Sequence, residues 1–181
     1  DLHYPLRRQR QMCIRDRRRP PDPEYIKFLV SIKPKGVFSL LAVGAGTVIV
    51  GPATEELLFR GFVQRIFHRN MEGWLAVLLG GIIFGIAHFS PTLLPGATFV
   101  GIVFGYLFYR TGNLVYPVLG HAVYNLSSLL RLEGASVADL EQAGGALPSP
   151  LWTVVSLAGL AAALLVIERR HGVTDLAGPP D

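Results

Sequence analysis

A chain of 181 residues is long enough for one compact domain, yet half of it is hydrophobic and only 17% is charged. With a positive mean hydropathy as well, it is too apolar for an ordinary soluble domain of this size. The formal net charge of +4 would alone invite nucleic acid, but seven of the 17 basic residues lie between Arg7 and Arg19, and beyond them ten basic residues face eleven acidic ones. Composition therefore excludes a nucleic-acid partner and points to an integral membrane protein. The single cysteine, Cys13, excludes a disulfide framework and a thiolate metal site.

In chain order, residues 1–19 read as a non-native or disordered basic segment. Within them Gln11-Met12-Cys13-Ile14-Arg15-Asp16 resembles an in-frame translation of a transposon-end adapter, joined to an N-terminally truncated reading frame; the segment is set aside from fold reasoning. Residues 20–35 form a proline-rich lead-in with an interfacial piece at 25–30. Residues 36–170 form the helical domain, and 171–181 a flexible tail. The domain contains five apolar segments, at 37–67, 74–89, 97–109, 114–130 and 151–167. At 1.5 Å per residue the last four are short for a hydrocarbon core of roughly 30 Å. They are nevertheless apolar all round, whereas most helices of a soluble bundle keep a polar face. The expected fold is an all-α polytopic transmembrane helix bundle of about five spans.

Gly51-Pro52 lies inside the first segment, where the proline removes one backbone hydrogen bond and favours a kink. Short connections at 68–73, 90–96 and 110–113 make neighbouring helices antiparallel. The longer stretch 131–150 reads as a surface loop rather than a substrate-facing lid. Gly81 with Gly85, and Gly101 with Gly105, place small residues one turn apart, which permits close helix approach in lipid. Basic residues divide almost evenly between the two ends of the spans, so charge does not set the orientation.

Three sets of polar residues interrupt the apolar segments. The first is Glu55-Glu56-Leu57-Leu58-Phe59-Arg60. Charge in such a setting must be paired or functional. Glu56 and Arg60, four apart with the acid first, share a helix face and form a pair. Glu55 lies about 100° away around the axis, and is the acid left over for chemistry. The second set is Phe84 and His88, again four apart. A hairpin turning near Met71 and Glu72 brings His88 to the depth of Glu55. The third is His121 with Asn125, which also share a face. An inert ion-pair cluster remains the structural alternative for the first set, and interhelical hydrogen bonding for the third. Three compact sets that can face one interior favour a single site.

Glu-Glu-x-x-x-Arg, Phe-x-x-x-His and His-x-x-x-Asn, in this order on hydrophobic helices, resemble the pattern of the CAAX-protease and bacteriocin-processing family of intramembrane glutamic endopeptidases, whose type II prenyl-protease members are the best known. The resemblance spans roughly residues 37–130. Members commonly have extra helices before the double glutamate, in keeping with a truncated N-terminus. Both the residues and the resemblance give Glu55 as the general base, His88 as a holder of the same water or a proton shuttle to the leaving amine, and His121 and Asn125 as oxyanion donors. Glu56, Arg60 and Phe84 support them. Phe59, on the face of Glu55, supplies an apolar setting. The resemblance implies metal-free chemistry without a cofactor, with membrane lipid and a membrane-associated or prenylated peptide as partners. Two rivals stand beside it: zinc-assisted hydrolysis with Glu55, His88 and His121 as ligands, and a non-catalytic peptide-binding or immunity protein or transporter.

Overall fold

The computed structural model describes residues 23–134 and 136, Thr92 excepted, and these residues are all-α. The segment 1–19, the apolar stretch 151–167, most of the loop 131–150 and the tail 171–181 lie outside the described residues.

The first helix, α1 (Pro23–Ile32), begins on a proline, whose missing N–H costs nothing at a first turn. Glu24 at this end pairs with Lys27 at 2.7 Å. Lys33 precedes Pro34, which steers the backbone out of the helical region. The expected lead-in is therefore helical over most of its length.

The second, α2, is a continuous run over Val37–Asn70. Its 34 residues extend about 51 Å at the standard rise. Ser39 caps its start, accepting from the Lys35 N–H at 2.8 Å and donating to the Gly36 carbonyl at 2.9 Å. Gly51-Pro52 does not end the run. Instead the winding changes along its length: α-helical over Val37–Gly44, π-helical over Ala45–Val50, α-helical over Gly51–Leu58, π-helical over Phe59–Gln64 and α-helical to Asn70. Pro52 sits in the first turn of the middle α-helical stretch, directly after the π-helical one, so its missing N–H falls at the change of winding.

Met71, extended at φ −154°, and Glu72 make the turn. The third helix, α3 (Gly73–Ile86), returns along the second half of α2. Phe89, at φ 50°, reverses the chain in the left-handed region that a bulky residue rarely visits. The fourth, α4 (Leu94–Thr111), starts earlier than its apolar run because Pro95 fits a helix first turn. It stops at Gly112, whose φ of 62° supplies the left-handed cap and sends its N–H to the Phe108 carbonyl at 2.8 Å. Asn113 then caps the fifth helix, α5 (Val115–Gly134), accepting from the Val115 N–H at 2.9 Å.

These four longer helices close a ring. α3 packs on the second half of α2, α4 on α3, α5 on α4, and α5 returns to the first half of α2. The α3–α4 contact is backbone on backbone: a Cβ at Gly81 would lie 2.7 Å from the Ile102 nitrogen, and one at Gly101 would lie 2.9 Å from the Gly81 carbonyl oxygen.

Burial is inverted relative to a soluble domain. Arg60, Gln64 and Glu56 are among the largest fully buried side chains, while Phe38, Leu41, Leu57, Phe62 and Leu130 are exposed. Among the described residues α2 is the one helix long and apolar enough to cross a membrane, and only 6% of its most apolar window is buried. A charged interior beneath an apolar exterior is the distribution expected where hydrocarbon replaces water. The described part is an all-α membrane helical protein.

Candidate functional site: a polar ladder on the long helix

Four residues of α2, Glu56, Arg60, Gln64 and His68, recur every fourth position and are all buried. That spacing stacks them on one face of the helix. They form a polar ladder of two bonded pairs. Arg60 Nη1 donates to Glu56 Oε1 at 3.0 Å, and Gln64 Nε2 lies 3.1 Å from His68 Nε2. Across the interface, Arg60 Nη2 donates to the Gly101 carbonyl at 2.9 Å and Gln64 Nε2 to the Gly105 carbonyl at 2.9 Å. The acceptors are four apart on α4, so one rung matches one turn on both helices. A helical carbonyl already engaged along its own helix retains a second lone pair for such a donor.

The guanidinium of Arg60 also lies 4.5 Å from the centroid of the Phe84 ring and 5.9 Å from that of Phe104. Both distances are within cation–π range. Opposite charge, two hydrogen bonds and two aromatic faces thus offset the desolvation of this cation. The ladder ends at His68, whose ring stacks on Tyr109 at 5.2 Å between centroids.

From α5, His121 enters the same cluster. Its Nδ1 lies 2.9 Å from Glu56 Oε1. A Glu56 carboxylate paired with Arg60 can only accept, so Nδ1 carries the proton in this arrangement. His121 Nε2 then faces Glu55, 3.9 Å from Oε2, a separation that excludes a direct hydrogen bond and suits a bridging water. The ring of His121 stacks on Phe104 at 5.3 Å and meets Phe84 edge-on at 5.8 Å, which fixes its plane.

The two adjacent glutamates therefore occupy different surroundings. Glu56 is wholly buried, with Oε1 shared between Arg60 and His121. Its Oε2 is buried without a hydrogen-bond partner. The Glu55 side chain is 40% exposed.

His88 and Asn125 stand at the margin. His88 follows the last turn of α3 and is exposed. Its N–H bonds the Gly85 carbonyl at 3.2 Å, which leaves the Phe84 carbonyl to accept from His88 Nδ1 at 2.8 Å. That bond leaves Nε2 of the neutral ring as the acceptor. Contact from His88 to the cluster passes through Phe84, whose ring lies 4.9 Å from His88 and 5.8 Å from His121. Phe59 packs edge-on against the same ring at 5.0 Å. Asn125 Nδ2 donates to the Thr47 carbonyl of α2 at 2.8 Å. Among the described residues no three His, Cys, Asp or Glu side chains come together as a metal-binding group.

Of the seven residues singled out from sequence, Glu55, Glu56, Arg60, Phe84 and His121 form one contiguous cluster. His88 touches it through Phe84, and Asn125 is directed to the α2 backbone. Gln64 and His68 were missed, although the four-residue repeat that paired Glu56 with Arg60 continues through both.

Residues 37–127, half of the chain, match the family model described as type II CAAX prenyl endopeptidase Rce1-like. Among curated proteins of Bacillus subtilis (strain 168), the one named "Putative membrane peptidase YdiL" is 32% identical over 77 residues, 42% of this chain and 32% of that protein. "Uncharacterized protein YyaK" is 33% identical over 97 residues, 48% of this chain and 32% of that protein. The chain thus spans about a third of the length of the curated relatives it matches. No solved structure matches it significantly.

Proposed function

This chain belongs to the type II CAAX prenyl endopeptidase Rce1-like family, and from that premise we propose that it is the catalytic part of a multi-pass intramembrane endopeptidase that hydrolyses a peptide bond of a membrane-associated or prenylated substrate with water activated by Glu55. The observation that carries this reading is the asymmetry of the two glutamates. One is sealed against Arg60 and His121, and the other is half-exposed with His121 Nε2 3.9 Å away. A water held between Glu55 Oε2 and His121 Nε2 has an acceptor for its proton on one side and an oriented ring on the other.

In the proposed reaction the water oxygen attacks the scissile carbonyl carbon as its proton passes to Glu55. The carbonyl π electrons move to oxygen. His121, when Nε2 also carries a proton, and the second N–H of Asn125 donate to that oxyanion. With His121 as an imidazolium, the two carboxylates, Arg60 and His121 sum to zero formal charge, which suits an apolar interior. Collapse re-forms the carbonyl and breaks the C–N bond, and the amine leaves with the proton returned by Glu55, directly or through His88. The buried Glu56 sets the ring plane and tautomer of His121, much as a carboxylate orients a catalytic histidine elsewhere.

Cleavage of a membrane-associated peptide by the reconstituted chain tests the division of labour. Glu55→Gln removes the base while leaving the buried pair intact, so turnover falls at least a thousandfold with an unchanged unfolding temperature. Glu56→Gln instead lowers both turnover and stability. Equal turnover in Glu55→Gln and the parent chain refutes the assignment.

A further inference from the structure

We propose that Pro52 is a positioning residue for Asn125, acting through the carbonyl of Thr47; the functional half of this inference rests on the endopeptidase reading above. The chain of cause begins with winding. Over Ala45–Val50 the long helix is π-helical, and the Gly51 N–H accordingly bonds the Gly46 carbonyl, five residues back. The next rung of that winding would join the residue 52 N–H to the Thr47 carbonyl. Residue 52 is proline and has no N–H. The α-type donor to the same carbonyl would be Gly51, which is already committed to Gly46. Thr47 is thus left with a carbonyl that neither winding satisfies, in the apolar part of a membrane helix, where an unmet backbone group is costly.

Asn125 Nδ2 fills that vacancy at 2.8 Å, from a helix 78 residues further along the chain. One N–H of the amide is spent on Thr47, which fixes the side-chain rotamer and leaves the second N–H and the amide oxygen for the site. One turn earlier on α5, His121 is tied to Glu56, itself one turn beyond Pro52 on α2. A single proline therefore links the start of the acidic motif to the last residue of the histidine–asparagine motif. A helix-former at position 52 would restore the local donor and release the amide.

The chain holds three asparagines, Asn70, Asn113 and Asn125, so side-chain amide 15N labelling of asparagine gives three resolvable NH2 groups in micelles, with Asn125→Ala assigning the third. In the parent chain one Asn125 side-chain N–H should exchange at least tenfold more slowly than those of Asn113. In Pro52→Ala that protection should fall and the signal move while the Asn70 and Asn113 signals stay in place. Rapid exchange in the parent chain overturns the proposal without recourse to any variant, as does an Asn125 signal indifferent to Pro52→Ala.

Turnover supplies the second reading. Pro52→Ala should lower kcat about tenfold with KM unchanged when Asn125 is present, and cause no further loss in the Asn125→Ala background. A purely structural proline would cost the same in both backgrounds, and equal losses overturn the functional link. If the parent chain cleaves nothing, the endopeptidase reading fails by itself, and amide exchange alone decides whether Pro52 holds Asn125.

Discussion

Helix α4 meets two of its neighbours, α3 and α2, by opposite means. Toward α3 it presents bare backbone, with Gly81 and Gly101 so close that neither has room for a Cβ. Toward α2 the carbonyls of Gly101 and Gly105 receive Arg60 and Gln64. The first contact is a matter of shape and dispersion, as in other lipid-embedded helix pairs where no hydrophobic driving force separates helix from solvent. The second is carried by buried side chains that donate to backbone carbonyls, with the Phe104 ring beside the guanidinium. Gly101 belongs to both: missing a side chain on one face, it also accepts the guanidinium. The close contact sets the height of α4, and that height sets which turn of the ladder meets which carbonyl.

Breaking the polar interface should do the most damage. Arg60→Met leaves the buried Glu56 carboxylate with His121 as its remaining partner, and the loss of a partner from a buried pair typically costs about 3–5 kcal/mol. The variant should unfold at markedly lower temperature in thermal denaturation followed in micelles. Gly81→Leu attacks the close contact instead. The backbone nitrogen of Ile102 cannot move aside, so the cost should approach about 3 kcal/mol, the upper end for overpacking. It should also weaken the ladder, since α4 must shift. A Gly81→Leu chain with parental stability would show that the two interfaces are independent. Gln64→Leu removes one rung, with its hydrogen bonds to the Gly105 carbonyl and to His68; the carbonyl keeps the bond along its own helix, so each bond lost should cost about 0.5–1.5 kcal/mol, with turnover reduced less than in Arg60→Met. The smallest stability change belongs to Glu55→Gln, within about 0.5 kcal/mol as for other exposed sites away from the packed interior.

Much of this arrangement is visible in the residues themselves. The four-residue interval from Glu56 to Arg60 predicts their hydrogen bond, the glycine pairs permit a close helix approach that the structure places between α3 and α4, and the short connection at Met71 predicts the hairpin. The extension of the ladder through Gln64 and His68 follows the same rule and was legible. The bond between His121 and Glu56 was not, because it joins residues 65 apart and depends on how α5 lies across α2. The Pro52 effect was half legible. Sequence shows that one backbone bond must be lost, but α-helical winding would orphan the Val48 carbonyl and π-helical winding orphans that of Thr47. Only the observed winding identifies the acceptor that Asn125 meets. Helix lengths changed too: position 95 tolerates proline as a first-turn residue, so α4 reaches back into the expected loop.

Among the described residues α2 alone passes the length and hydropathy test for a span; the multi-pass topology is part of the proposal, supported by the inverted burial and by the family. The central claim is chemical, that a glutamate and not a metal ion activates the water. Its most direct test is peptide cleavage by the reconstituted chain in excess strong chelator, run beside Glu55→Ala. Full turnover in chelator with none in Glu55→Ala is the predicted result. Turnover lost to the chelator and restored by zinc would contradict it.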